Sequence, residues 1–183
     1  MDHQAPRQTV TDRPTDWPLE THEVLRRSRV RQVAHVPDAG LSELISLTQD
    51  DPEMTVTVLT TEEEGIGVLA GAWLGGQRGA LLMQSSGVGN CLNMLALVKT
   101  CRFPLLAIVT MRGEWAEFNP WQVPMGQATG PALELMDVLV YRVEAAEEVA
   151  ETVAAAADLA FQGDAAVAVL LSQKLLGRKV WTR

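Results

Sequence analysis

Three consecutive carboxylates, Glu62, Glu63 and Glu64, stand between a β-branched run and an apolar helical pattern. Acidic residues in a first helical turn complement the helix dipole, at about 0.3–1 kcal/mol each. Neighbouring like charges repel, so three in a row are more than a dipole needs. Gly65, Gly67, Ala70 and Gly71 follow and leave one helix face nearly bare, which lets a ligand or another backbone come close. The run Gln84-Ser85-Ser86-Gly87-Val88-Gly89-Asn90 is a second candidate, a glycine turn between a strand and a helix with polar side chains around it. It lacks the third glycine of a dinucleotide fingerprint and the Gly-Lys-Ser/Thr of a P-loop, so a tight connection and a ligand turn both remain open. Pro37-Asp38-Ala39-Gly40 and the loop over residues 112–127 are the other candidates. That loop carries Arg112, Trp115, Phe118, Asn119, Trp121, Gln122 and Gln127, a mixture suited to a lid, a pocket wall or a subunit contact. No nucleophile triad emerges: neither serine sits in Gly-x-Ser-x-Gly, and His3, His22 and His35 all lie early in the chain. His35, near a strand end, reads as a packed histidine.

These segments need a scaffold, and the hydrophobic pattern supplies one. Pro18 suits a first helical turn, with Val24 and Leu25 on its apolar side. Strands are expected over 31–36, 54–60, 80–84, 104–111, 138–143 and 166–171. Helical patterns fall at 41–47, 62–74, 92–98, 132–136 and 146–161, and a long loop is expected over 112–127. Several strands are apolar throughout rather than alternating, as in a sheet buried on both faces. The expected fold is therefore α/β: a doubly wound, mainly parallel six-stranded sheet with helices on both faces. In such folds ligands bind at the carboxyl ends of strands, beside the topological switch point. The four candidate segments all fall at such ends.

Composition narrows the function. The chain has 183 residues, enough for one domain with a sizeable core. Residues 1–16 are polar and aperiodic and read as a flexible tail, with the domain at 17–183. The net charge of −8 argues against non-specific nucleic-acid binding. No apolar run reaches the roughly 20 residues of a membrane span, and the start has no signal-peptide core. Cys91 and Cys101 make neither a disulfide framework nor a zinc spacing with the histidines, sit in apolar helical context as buried thiols, and fit a reducing cytoplasm. No metal ligands are assigned to this chain.

TTEEEGIGVLAGAWLGG, then LLMQSSGVGNCLNMLAL, then PLLAIVTMRG with QVPMGQ downstream resemble the pyrimidine-binding domain of thiamine-diphosphate-dependent decarboxylases. The likeness is greatest to sulfopyruvate decarboxylase alpha subunits and the matching half of phosphonopyruvate decarboxylases, and it covers almost everything from Trp17 onward. VPDAG resembles their V-P-D-S substrate loop, with Ala39 in place of the serine. The resemblance implies that one glutamate hydrogen-bonds the aminopyrimidine ring of thiamine diphosphate. Aligning on Ala70-Gly71 gives Glu62, with Glu63 and Glu64 as fallbacks. A carboxyl group in an apolar crevice is pushed toward its protonated form by desolvation, so it can share a proton with a ring nitrogen. The cofactor then loses its thiazolium proton, attacks a 2-oxo carbon and releases carbon dioxide.

The resemblance further implies cofactor contacts from Gln84, Ser85, Ser86, Gly87, Gly89 and Asn90, and substrate contacts from Pro37, Asp38, Arg112, Trp115 and Gln122. The family's G-D-G motif for magnesium and diphosphate has no match, since Gly163-Asp164 continues to alanine. The implied partner is a beta subunit that holds Mg2+ and the diphosphate, in an α2β2 or higher assembly. The implied activity is decarboxylation of a 2-oxo acid, by a chain active only with that partner. The rivals are a carboligase on a less anionic or aromatic 2-oxo acid and a non-catalytic interaction subunit.

Overall fold

A computed structural model describes residues 15–178. Asp16 caps the first helix, α1 (Trp17–Arg27), its carboxylate accepting from the Leu19 amide at 3.2 Å, and Pro18 occupies the first turn. There follow β1 (Val30–His35), α2 (Ser42–Asp50), β2 (Thr55–Val58), α3 (Glu62–Leu74), β3 (Arg78–Gln84) and α4 (Ser85–Cys101). The second half contains β4 (Leu105–Thr110), a 3₁₀ turn (Pro120–Gln122), α5 (Val123–Leu135), β5 (Leu139–Val143), α6 (Ala146–Gly163), β6 (Ala166–Leu171) and α7 (Gln173–Leu176). The tail expected over residues 1–16 lies outside the described residues up to residue 14.

The six strands form one sheet in the order β2-β1-β3-β4-β6-β5, and every pair is parallel. Helices cover both faces. One core holds Val24 and Leu25 of α1, Leu44 of α2 and Val153 and Ala156 of α6 against Val33, Leu82, Ile108 and Val169. The other holds Ile66 of α3, Val88 and Leu95 of α4 and Leu133 of α5 against Leu81, Met83, Ala107 and Val109. The central strand β4 is buried at all six residues, whereas the edge strands β2 and β5 are largely open. That difference explains why the apolar run was readable at β4 and the edges were short. β1 lies between β2 and β3, so the chain turns one way after β1 and the other way after β2. The resulting crevice opens at the carboxyl ends of β1 and β3.

Four sequence expectations change. The glycine turn expected over 85–90 is helical from Ser85 onward, so α4 starts directly on the end of β3. The loop expected to reach residue 127 ends earlier, because Pro120 and Pro124 each sit in a first helical turn, where a fixed φ and a missing N–H cost nothing. The short helix expected over 132–136 is the end of α5. Cys91 is buried as expected, but Cys101 lies exposed in the last turn of α4.

Candidate functional site

The three glutamates at the start of α3 do different things. Glu64 turns back, and its carboxylate accepts the Thr60 amide at 2.9 Å. Glu63 accepts the Thr61 hydroxyl at 2.5 Å, and that bond holds its carboxyl below the ordinary carboxylate range. Both are local helix-start contacts. Glu62 is the buried member of the run, 8% exposed, and its side chain crosses to α4. There Asn90 Nδ2 donates to Glu62 Oε2 at 2.9 Å, while Oε1 accepts no hydrogen bond among the described residues.

Gly87 makes this approach feasible. A Cβ at position 87 would stand 2.2–2.3 Å from the Glu62 carboxyl group, far inside contact distance. The first turn of α4 is bare here so that a carboxylate can lie on it. Beneath it, burial together with the charges of Glu62 and Glu63 pushes the Cys91 thiol up to about 12, so that sulfur stays protonated. Gly65, one turn into α3, faces Leu81 and Leu59 and lets α3 sit close on the sheet.

A second cluster gathers at the carboxyl ends of β1, β3 and β4. Asp38 accepts three hydrogen bonds: from the Gly40 amide at 3.0 Å, Thr110 Oγ1 at 2.8 Å and Gln84 Nε2 at 2.9 Å. Gln84 Oε1 in turn accepts from Ser86 Oγ at 2.9 Å and Gln122 Nε2 at 3.2 Å. Asp38, Gln84 and Gln122 are therefore one network, although they lie on three separate segments. It borders a small cavity of about 80 Å3 lined by Asp38, Gly40, Thr110, Arg112, Gln173 and Leu176 among others. Arg112 is the only cation in that lining.

The loop after β4 is locked from within. Arg112 donates Nε and Nη2 to the two Glu117 oxygens at 2.8 and 2.6 Å, and both side chains are almost fully buried. Glu117 also accepts the Gly113 and Asn119 amides at 3.1 and 3.0 Å and Gln173 Nε2 at 2.9 Å. These bonds, the Arg112 guanidinium foremost, hold its carboxyl at about 2. Gln173 Oε1 accepts the Glu114 and Trp115 amides, each at 3.0 Å, which ties the loop to α7. The Phe118 ring lies 5.7 Å from the Arg112 guanidinium.

The remaining expected site residues divide. Ser86 and Asn90 are exposed beside the Glu62 pair. Ser85 is fully buried, and its hydroxyl accepts the Arg112 amide at 3.0 Å. Gly89 faces Met125 of α5, whose sulfur would lie 3.0 Å from an added Cβ. Ser85 thus anchors the loop after β4, and Gly89 packs on α5. Pro37 is exposed on the side of His35 and Val58, away from the small cavity. Trp115 is 43% exposed, and Trp121, at 71%, stands further out. His35 is buried as expected, yet neither ring nitrogen has a partner, and burial lowers its pKa. Thr110 and Gln173 were not anticipated. The five-residue spacing of Arg112 and Glu117 is a signal that could have found that pair, whereas Gln173 is brought in only by the fold.

Comparison with known proteins gives the family of the chain. Residues 21–122 match the family described as thiamine pyrophosphate enzyme, N-terminal TPP binding domain. The chain is 39% identical over 145 residues to the sulfopyruvate decarboxylase subunit alpha of Methanococcus maripaludis, covering 79% of this chain and 87% of that one. It is 40% identical over 111 residues to the phosphonopyruvate decarboxylase of Streptomyces viridochromogenes, covering 60% of this chain and 28% of that protein. In fold it resembles benzoylformate decarboxylase from Polynucleobacter necessarius, with a TM-score of 0.67 at 16% identity, over 91% of this chain and 31% of that one.

Proposed function

The chain belongs to the thiamine pyrophosphate enzyme family, through its N-terminal TPP binding domain and its kinship with sulfopyruvate decarboxylase alpha subunits, and on that premise we propose that it is the alpha subunit of a thiamine-diphosphate-dependent 2-oxo acid decarboxylase. The observation that carries this reading is the Glu62 carboxylate, laid over Gly87, held on one oxygen by Asn90 and open on the other. That is the donor set an aminopyrimidine ring requires: a carboxyl group for a ring nitrogen in a crevice whose floor carries no side chain.

Bound thiamine diphosphate supplies a nucleophilic carbon and the electron sink that lets a 2-oxo acid lose carbon dioxide. The chain's own residues bind and position. Glu62 holds or releases a proton at its open oxygen. Asn90 fixes the direction of that carboxylate, and Gly87 makes room for it on the first turn of α4. Ser86 and Gln84 line the adjoining strand–helix joint. Asp38, oriented by Thr110, Gln84 and Gly40, presents the rim on which a substrate is oriented. Arg112, anchored by Glu117, holds the loop against that rim.

The diphosphate and its magnesium ion are assigned to a beta subunit. The naming of the relatives as alpha subunits supports such a partner. An α2β2 assembly places this chain's Glu62 end against it, in a soluble, cytoplasmic enzyme.

The test is reconstitution. The chain with its partner should release carbon dioxide from sulfopyruvate or phosphonopyruvate when thiamine diphosphate and magnesium are added, and the chain alone should not. A specific observation favours a second reading for the substrate. Arg112 is already neutralised by Glu117, so this wall of the crevice offers a sulfonate no free guanidinium. An apolar or aromatic 2-oxo acid turned over faster than sulfopyruvate would favour that reading. Acetoin-type products formed with an added aldehyde would indicate carboligation.

A further inference from the structure

We propose that the arginine-lined pocket at the amino end of the sheet binds a small phosphate-bearing molecule. The pocket has a volume of about 490 Å3 and lies between the carboxyl ends of α1 and α6 and the first residues of β1 and β3. Arg27, Arg29 and Arg78 line it, with Ser28, Asp158 and Gln162. Strand β3 runs from Arg78 to Gln84, so at about 3.3 Å per residue this pocket stands roughly 20 Å from the Glu62 and Asp38 clusters.

These three arginines share one pocket and, among the described residues, have no acid partner. Their neighbours are paired: Arg26 with Asp51 at 3.1 Å and Arg31 with Glu53 at 2.6 Å. None of the ion pairs among the described residues includes Arg27, Arg29 or Arg78. Arg78 is held in place without being neutralised. Its Nη1 donates to the Ser28 carbonyl at 2.9 Å, and its guanidinium lies 5.1 Å from the Phe161 ring centre. The one carboxylate in the lining, Asp158, accepts instead from the Gln162 side chain, through Nε2, at 2.9 Å. Arg29 is left-handed, φ +59°, because it ends α1, as Arg102 ends α4 and Asp164 ends α6.

A simpler account has the arginines balancing the negative ends of α1 and α6. Each helix end carries roughly half an elementary charge. Two such ends and Asp158 leave about one positive charge uncompensated in a chain whose net charge is −8. Three arginines, from a helix end, a turn and a strand, line this one pocket, and guanidinium groups bind an oxyanion with several oxygens in fork geometry. The volume falls within the range of small-molecule sites, roughly 300–1,000 Å3. Arg27 and Arg29 are exposed, so a ligand enters directly from solvent.

The test is an NMR titration of the full chain with inorganic pyrophosphate at low ionic strength. The expected result is saturable shifts at the Ser28, Arg29 and Gln162 amides, one ligand per chain, with a dissociation constant of about a millimolar or lower that weakens as salt is added. The R27A/R29A double variant, whose changes are both on the surface, should keep the spectrum of a folded chain and bind at least about ten-fold more weakly. Absence of saturable shifts at those amides, or equal binding by the double variant, would overturn the proposal. Citrate binding as tightly as pyrophosphate would make the pocket a general polyanion patch and overturn the assignment to phosphate.

Discussion

The amide of Asn90 and the carboxylate of Glu62 are 2.9 Å apart, bridging two helices that meet at their first turns. The contact exists because the intervening position, Gly87, has no Cβ. A helix start that could have been capped by any of three neighbouring glutamates thus sends one of them across to the next helix. Glu63 and Glu64 satisfy donors beside them and leave Glu62 to the crevice.

Gly87→Ala is the sharpest structural test of that arrangement. The added methyl would lie 2.2–2.3 Å from the Glu62 carboxyl carbon and oxygen, so the carboxylate must swing away. Overpacking of this kind costs about 1–3 kcal/mol. Thermal denaturation should show that loss. Activity of the reconstituted enzyme should fall by more than the stability change accounts for, because the displaced group is the one proposed to face the cofactor.

The buried Arg112–Glu117 pair should be visible in acid. Its carboxyl is held at about 2 in the folded chain, against an ordinary value of 4.5. The depressed value means that the pair's full contribution is present above about pH 4.5 and is lost as pH falls toward 2. Glu117→Gln removes that acid dependence. It also leaves a buried guanidinium without its counter-charge, which costs about 3–5 kcal/mol. Urea denaturation at pH 7, 4 and 3 would measure both effects. A Gln variant as stable as the parent at pH 7 would contradict this account of the loop.

Arg112→Lys isolates the fork. One ammonium group cannot reproduce the two parallel bonds to Glu117. The loop should loosen, and the Michaelis constant should rise more than kcat falls. Unchanged kinetics would remove Arg112 from the site.

Much of this was legible in the chain. The apolar runs at 104–111 and 166–171 marked central strands because both of their faces are covered, and residues 62–74 were readable as one helix. The loop after β4 is shorter than expected because Pro120 and Pro124 each open a helical turn, a start that a stretch without apolar periodicity does not announce. The site was legible where residues are neighbours in sequence, at Glu62 and at 84–90. It was not legible where the fold joins distant segments. Thr110 and Gln84 reach Asp38 across more than forty residues, and Gln173 reaches Glu117 across more than fifty. Ser85 and Gly89 were expected beside the cofactor on motif position alone. Helix α4 begins at Ser85, about two turns before the helical pattern at 92–98, and this places Ser85 inward and Gly89 toward Met125.

Asp38→Ala tests the rim. Its removal leaves the Gly40 and Gln84 donors without an acceptor and the enclosed Thr110 hydroxyl with only the Met83 carbonyl, at 3.5 Å. An unsatisfied buried donor costs about 1–3 kcal/mol. The variant should melt at lower temperature and lose substrate affinity, while cofactor affinity of the assembled enzyme stays near that of the parent. Loss of cofactor affinity equal to that of substrate would place Asp38 in the cofactor site instead.

The most direct measurement is the rate at which the cofactor's thiazolium proton exchanges with solvent in the assembled enzyme, compared across Glu62→Gln, Glu63→Gln and Glu64→Gln. Glu62→Gln is isosteric and keeps the Asn90 contact on its amide oxygen, so the fold should persist. A positioned acid–base group contributes on the order of 10²–10⁴ in rate. Exchange should therefore slow by about 10²-fold or more in Glu62→Gln and change little in the other two. Rapid exchange in Glu62→Gln, or a collapse confined to Glu64→Gln, would contradict the account.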